Sequence, residues 1–141
     1  MDRQDQIDAI LDHYENPRHR GALPAADLVG EGRNPGCGDV VRLYVKLDGG
    51  ERISAIAFEG QGCTISQAAA SMFTELALGK TLAEAVALQG GALAELLGAD
   101  VLASRPNCVT LALDVLQGAE AAYRDGHSDL GGNGAKDAKH A

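Results

Sequence analysis

The stretch that decides the fold is Asn34-Pro35-Gly36-Cys37-Gly38-Asp39-Val40-Val41-Arg42-Leu43-Tyr44-Val45-Lys46-Leu47. Its second half alternates, with apolar side chains at 41, 43, 45 and 47 on one face and Arg42 and Lys46 on the other, which predicts a half-buried β-strand. Its first half is a glycine-rich turn that carries a thiol and a carboxylate, Cys37 and Asp39, two residues apart. We therefore expect a strand that begins beside a ligand-bearing turn.

This strand is predicted to form a hairpin with the residues that follow it. Residues 48–51 (Asp-Gly-Gly-Glu) supply a turn, and the apolar run at 53–59 is typical of a partner strand. Upstream, residues 20–33 are rich in glycine, alanine and proline, which predicts an extended connection with a short edge strand around Leu28 and Val29. The sequence thus predicts a small antiparallel sheet of about three strands.

Helical periodicity is found on both sides of the predicted sheet. Apolar residues at 7, 10, 11 and 14 predict an N-terminal amphipathic helix that ends near Asn16, because Pro17 cannot continue the helix. Further helices are predicted at 66–78, at 82–88, at 92–97, and as a long C-terminal helix from about Pro106 to about Tyr123. Strands followed by helices predict an α+β domain whose helices pack on one face of the sheet.

Length and charge limit the classes of function. The 141 residues include 12 basic and 20 acidic side chains, for a formal net charge of −8, with no basic cluster interleaved with aromatic residues. This composition argues against nucleic acid as a partner. The absence of a signal peptide and of an apolar run of about 18 residues argues against a membrane and predicts a cytoplasmic protein. We expect one domain over residues 1–125 and a disordered tail over 126–141, where apolar residues are scarce.

Three cysteines, Cys37, Cys63 and Cys108, lie within two residues of glycine or proline at the ends of predicted elements. Their odd number and the reducing compartment argue against a disulfide framework. One alternative is that all three are small buried apolar residues, but the turn residues beside them favour functional thiols. Together with Asp39 they could converge on one ion or one cluster, because thiolates and carboxylates bind zinc and iron-sulfur centres.

The composition of this ligand set indicates what kind of site it is. Structural zinc sites rarely use a carboxylate, so Asp39 favours a site that exchanges its occupant. Four anionic ligands around a divalent ion leave a net charge of about −2, which Arg105 could offset if it is not simply solvated. His13 and His19 are weaker candidate ligands, and we expect solvated or helix-capping roles for them because no neighbouring residue shares a ligand spacing with them.

The sequence motifs around these residues resemble those of the IscU/SufU iron-sulfur scaffold family, also called the NifU N-terminal domain. The resemblance covers roughly residues 5–124. It is carried by the following motifs, in order: Ile10-Leu-Asp-His-Tyr-Glu-Asn-Pro-Arg18, Asn34-Pro-Gly-Cys-Gly-Asp39, Gly60-Gln-Gly-Cys-Thr-Ile-Ser66, Ala70-Ser-Met72 and Cys108-Val-Thr-Leu-Ala112.

The resemblance implies a scaffold that accepts sulfur from a cysteine desulfurase, assembles a [2Fe-2S] cluster and transfers it to apo iron-sulfur acceptor proteins. Cys37, Asp39, Cys63 and Cys108 would be the ligands of the cluster, or of Zn²⁺ in the isolated protein, and Asp39 would be the labile one. Cys37, Cys108 and Arg105 would take part in the sulfur chemistry. A monomer or a weak dimer is expected.

The chain departs from each branch of the family. The histidine that IscU-type members have before the third cysteine is replaced by Asn107, and Arg105 matches an arginine of SufU-type members. However, the chain lacks the insertion usual in SufU-type members, and it also lacks the Leu-Pro-Pro-Val-Lys run of IscU-type members. Two mechanisms therefore stay open: a cluster scaffold, or a zinc-dependent sulfurtransferase in which Cys37 attacks the persulfide. A purely structural zinc protein is a third, less favoured hypothesis.

Overall fold

The computed structural model describes residues 2–34, 36 and 38–128, with the side chains of 126–128 left out. Within these residues the chain forms an α+β domain with a three-stranded sheet, as predicted. The elements are α1 Arg3–Glu15, β1 Leu28–Asn34, β2 Asp39–Leu47, β3 Ile53–Gln61, α2 Thr64–Ala77, α3 Leu82–Val86, α4 Gly90–Leu97, α5 Ala99–Ser104 and α6 Pro106–Ser128.

The sheet is antiparallel with the order β1-β2-β3, so the strand predicted first is its centre. Every second residue of β2 from Asp39 to Val45 is buried, while Arg42 and Lys46 are exposed, which confirms the predicted alternation. Asn34 pairs with Asp39 and Val40 with Gln61. Because of this register, the end of β1, the start of β2 and the end of β3 lie side by side at one end of the sheet.

Strand β1 is longer than the short edge strand expected around Leu28 and Val29, since it pairs with β2 from Leu28 to Asn34. Two glycines inside it lie against α6. A Cβ at Gly30 would lie 3.0 Å from Ala119 Cβ, and a Cβ at Gly32 would lie 2.6 Å from Val115 Cγ2. Both contacts are with α6. Because glycine has no side chain, α6 can lie close against β1 at these two positions. Local strand propensity does not reveal this use of glycine.

We expect Gly32→Ala to destabilise the domain by about 1–3 kcal/mol, because the added methyl group overpacks the contact with Val115. Urea unfolding followed by circular dichroism measures the change. Gly49→Ala is the matched control, since a Cβ at Gly49 would meet nothing within 4 Å. Equal stability of the two variants would show that α6 does not need this close approach.

The helices lie on the buried face of the sheet, with α2 packed on β3 and α6 on β1 and β2. The core between them is apolar and includes Leu43, Phe58, Phe73 and Leu116, each at most 1% exposed. In the part of the chain that is described, no helix is long and apolar enough to span a membrane.

Several helix boundaries differ from the predicted ones. Helix α4 begins at Gly90, a residue expected to separate two helices, and α5 was not predicted at all. Gly98, at φ +113°, marks the break between these two helices. Helix α6 continues to Ser128, beyond the predicted end near Tyr123. Of the tail predicted over 126–141, residues 129–141 lie outside the described residues.

Candidate metal centre

Three of the four predicted ligands meet at the end of the sheet where β2 begins. One donor atom each of Asp39, Cys63 and Cys108 lies within 4.8 Å of the others. Residues that are 24 and 69 positions from Asp39 in the chain are thus brought to one point. Cys37, the fourth predicted ligand, lies outside the described residues.

Each of the three donors is held by a different element. Asp39 is the first residue of β2 and is 1% exposed. Cys63 caps the N-terminus of α2, where its Sγ accepts a hydrogen bond from the Ser66 N–H at 3.4 Å. Cys108 is buried in the first turn of α6. The site is therefore fixed by the packing of two helices against the sheet.

The hydrogen bonds in this site converge on the Asp39 carboxylate. Its Oδ1 accepts from the Cys63 N–H at 2.8 Å, and its Oδ2 lies 3.3 Å from Cys108 Sγ and 4.0 Å from Cys63 Sγ. Asn34 Nδ2 donates to Asp39 Oδ2 at 3.3 Å and to Cys108 Sγ at 3.6 Å. The opposite amide orientation would direct the Asn34 oxygen at a carboxylate, so the donor assignment follows from the charge.

The environment of Asp39 favours its ionised form. Burial raises the pKa of the Asp39 carboxyl, but hydrogen bonds from the Cys63 N–H, Cys108, Ser66 and the Cys63 thiol outweigh it and hold the pKa below its ordinary value. At neutral pH the group is a carboxylate. It is thus available as an anionic oxygen ligand without first losing a proton.

Gly62, which precedes Cys63, is needed for the approach of this carboxylate. Its φ of +143° is a conformation that side chains rarely adopt, and a Cβ at this position would overlap Asp39 Oδ1. Gly60, two residues earlier, similarly has no room for a Cβ beside the carbonyl oxygen of Val40. Sequence reasoning used these glycines only as turn signals and missed their steric role at the site.

The donor set fits a metal ion or a cluster on chemical grounds. Two sulfur atoms and one carboxylate oxygen within one ligand sphere suit zinc and iron-sulfur centres, and they suit calcium or magnesium poorly. The fit involves three donors in the described residues, and a fourth ligand would complete the tetrahedral set that zinc usually has.

Arg105 has no demonstrated part in this site. It is exposed, occupies the C-cap position of α5, and leads directly into α6. Among the described residues its guanidinium forms no hydrogen bond or ion pair with Asp39, Cys63 or Cys108. Its proposed charge-offsetting role stays a prediction.

The expectation of solvated or capping histidines is wrong for His13, which packs inside the fold. His13 is 8% exposed, and its Nδ1 lies 2.7 Å from Ser71 Oγ. Burial, followed by the charge of Arg18, holds the pKa of His13 below its ordinary value. His19 is exposed but joins Thr74 Oγ1 at 2.9 Å. Neither histidine belongs to the ligand group in the described residues, and His13 ties α1 to α2 instead.

Asn34→Leu is expected to lower zinc affinity by about 10- to 100-fold, because the bridging amide donor orients two ligands at once. Competition with a chromophoric chelator measures the affinity. Asn16→Leu, at the exposed C-cap of α1, is the control. Unchanged affinity in Asn34→Leu, with native stability, would mean that Asp39 and Cys108 are positioned without Asn34.

Comparison with known proteins places this geometry in a wider context. The family model of the NifU-like N terminal domain matches residues 5–129. The iron-sulfur cluster assembly scaffold protein IscU 1 of Archaeoglobus fulgidus is 40% identical over 116 residues, which cover 82% of this chain and 74% of that protein. The zinc-dependent sulfurtransferase SufU of Bacillus subtilis is 46% identical over 79 residues, which cover 56% of this chain and 52% of that protein. The crystal structure of FiSufU from Fervidobacterium islandicum AW-1 has a TM-score of 0.68 at 30% identity, and the match covers 79% of this chain and 93% of that one.

Proposed function

The chain belongs to the NifU-like N-terminal domain family, the IscU/SufU scaffold family of iron-sulfur cluster assembly, and we propose that it builds and transfers a [2Fe-2S] cluster. In this proposal a cysteine desulfurase supplies sulfur, and Cys37, Asp39, Cys63 and Cys108 hold the growing cluster. An apo iron-sulfur protein then receives it. The cluster is cargo, so the site must bind it firmly enough to assemble it and loosely enough to release it.

The observation that carries the proposal is the convergence of Asp39, Cys63 and Cys108 at the edge of an already complete core. Buried apolar residues fill the space between the sheet and the helices, while the three donors lie at one end of the sheet. A structural metal contributes folding free energy directly, which small domains without a core depend on. Here the buried apolar cluster does not include the three donors, which supports an exchanging site over a structural one.

The surroundings of Asp39 support its role as the exchange ligand. When the carboxylate leaves a metal, the Cys63 N–H and the Asn34 amide can hold it through hydrogen bonds. Those donors compete with the metal for the same two oxygens. A ligand with such alternative partners lowers the cost of opening one coordination position to an incoming thiolate.

A zinc-dependent sulfurtransferase is the second candidate, supported by the identity to the Bacillus subtilis protein of that name and by Asn107 in place of histidine. In this reaction the Cys37 thiolate attacks the terminal sulfur of the desulfurase persulfide. A new S–S bond forms on Cys37, the desulfurase S–S bond breaks, and the desulfurase cysteine leaves as a thiolate. No net oxidation occurs. Cluster assembly, in contrast, also needs an external reductant that converts each transferred sulfur atom to sulfide.

Anaerobic reconstitution separates the two candidates. The zinc-depleted protein is incubated with ferrous iron, cysteine, a thiol reductant and a desulfurase, and visible absorption is followed before and after addition of an apo-ferredoxin. A [2Fe-2S] spectrum that passes to the acceptor is the expected result. Absence of a cluster, combined with zinc-dependent stimulation of the desulfurase, would overturn the scaffold proposal in favour of sulfur transfer.

Removal of zinc is expected to leave the domain folded, because the apolar cluster between the sheet and the helices does not include the three donors. Far-ultraviolet circular dichroism before and after treatment with a chelator measures the helix content. Retention of the native spectrum with a lower melting temperature is the expected outcome. Complete unfolding on chelation would instead assign the ion a structural role.

A further inference from the structure

Solvent reaches the two described cysteines of the candidate metal centre to different extents. Cys63 is half-buried and caps the N-terminus of α2, whereas Cys108 is 3% exposed in the first turn of α6. A small oxidant that diffuses into the site therefore meets the Cys63 sulfur first. The protein around Cys108 shields the second sulfur from direct attack.

The two sulfur atoms are close enough for a change of side-chain rotamer to join them. They lie at most 4.8 Å apart, whereas the sulfur atoms of a disulfide are about 2.05 Å apart. A change of χ1 from one staggered rotamer to the next moves a cysteine sulfur by about 2.9 Å, which is enough to close this gap. The helices α2 and α6 pack against each other, so the two helix starts that carry the cysteines are held side by side.

The Asp39 carboxylate lies beside both sulfur atoms. Its Oδ2 accepts a hydrogen bond from the Cys108 thiol at 3.3 Å and lies 4.0 Å from Cys63 Sγ. The carboxylate is therefore in position to take the proton of Cys108 when that sulfur acts as a nucleophile. An accessible thiol next to a second thiol that can attack it is the arrangement found in redox-sensing cysteine pairs.

We propose that Cys63 and Cys108 form a reversible disulfide when the metal-free protein meets hydrogen peroxide, and that this disulfide blocks metal loading until a thiol reductant opens it. In the first step the Cys63 sulfur attacks one peroxide oxygen, the O–O bond breaks, and a sulfenic acid and one water molecule are formed. In the second step the Cys108 sulfur attacks Cys63 Sγ, the S–O bond breaks and the S–S bond forms. The Cys108 proton passes to Asp39, and the departing hydroxide leaves as a second water molecule. Two thiols are thus oxidised and one peroxide is reduced.

Metal binding and this disulfide exclude each other. In the loaded protein both sulfur atoms are engaged as thiolate ligands, and the disulfide removes both of them from the donor set. Bound metal should therefore protect the two cysteines, and oxidation should stop loading until the thiols are restored. The inference concerns the metal-free site, so it holds whether the protein assembles a cluster or transfers sulfur with the help of zinc.

The disulfide is tested on the full-length protein. Protein freed of zinc by a chelator under anaerobic conditions is treated with an equimolar amount of hydrogen peroxide, alkylated, and mapped as non-reduced peptides by mass spectrometry. A Cys63–Cys108 disulfide is expected, formed at least about tenfold faster than in zinc-loaded protein. The oxidised protein should not bind zinc, read with a chromophoric indicator, until dithiothreitol is added. A disulfide that involves Cys37, equal oxidation of the zinc-loaded protein, or zinc binding by the oxidised protein would overturn the proposal.

The order of the two steps is tested with two variants in a Cys37→Ser background, so that no third thiol can react. With Cys108→Ser, the sulfenic acid on Cys63 persists, and dimedone should trap it. With Cys63→Ser, dimedone labelling of Cys108 should be at least about tenfold slower, because Cys108 is buried. Far-ultraviolet circular dichroism before treatment checks that both variants are folded. Equal labelling of the two cysteines, or faster labelling of Cys108, would show that the proposed order of attack is wrong.

Discussion

Asp39→Ala is expected to slow the release of a bound cluster to an apo-ferredoxin by on the order of tenfold. In the structure the Asp39 carboxylate accepts hydrogen bonds from the Cys63 N–H at 2.8 Å and from the Asn34 amide at 3.3 Å. These donors stabilise the carboxylate after it has left the metal. Alanine removes the ligand that is expected to leave the cluster, so only the thiolates hold it. An incoming thiolate must then displace a thiolate, and no hydrogen-bond donors stabilise the departing group.

The rate of transfer, followed by the absorption of the acceptor, is the measurement for this variant. Asp39→Asn is the matched comparison, because the amide keeps the shape of the side chain but carries no charge. Asp8→Ala, at an exposed position of α1, controls for a general loss of acidic charge. Faster loss of the cluster from Asp39→Ala would mean that the carboxylate mainly holds the cargo, and its role as exchange ligand would be wrong.

The sequence was a good guide wherever local chemistry decides the structure. The alternation in β2 predicted its buried face because the side-chain period of a strand is a local property. The candidate ligands were also found locally, since Asp39, Cys63 and Cys108 lie beside turn residues and helix starts. Their convergence within one ligand sphere depends on the register of the sheet and on the docking of α6, which no local pattern determines.

The features that the sequence did not predict also depend on contacts between residues far apart in the chain. Gly30 and Gly32 lower the strand propensity of β1, and only the nearby α6 explains why they belong in a strand. Gln67 is buried although it is polar, and a Cβ at Gly60 would lie 3.2 Å from its Oε1. Such long-range steric complementarity is a property of the folded chain.

Cys37→Ser is expected to abolish sulfur acceptance if the chain works as a zinc-dependent sulfurtransferase, because a serine hydroxyl is not ionised at neutral pH and cannot form a persulfide. Incubation with a desulfurase and cysteine, followed by mass spectrometry of the intact protein, detects the mass of added sulfur. Cys63→Ser is the comparison, since Cys63 is held by the Ser66 N–H and beside Asp39 and should act as a ligand only. In this mechanism Cys63→Ser still accepts sulfur, with weaker zinc binding. If Cys37→Ser accepts sulfur as the unsubstituted protein does, the zinc-exchange mechanism is wrong. Loss of cluster assembly in both variants would then indicate a scaffold in which every thiolate is a ligand.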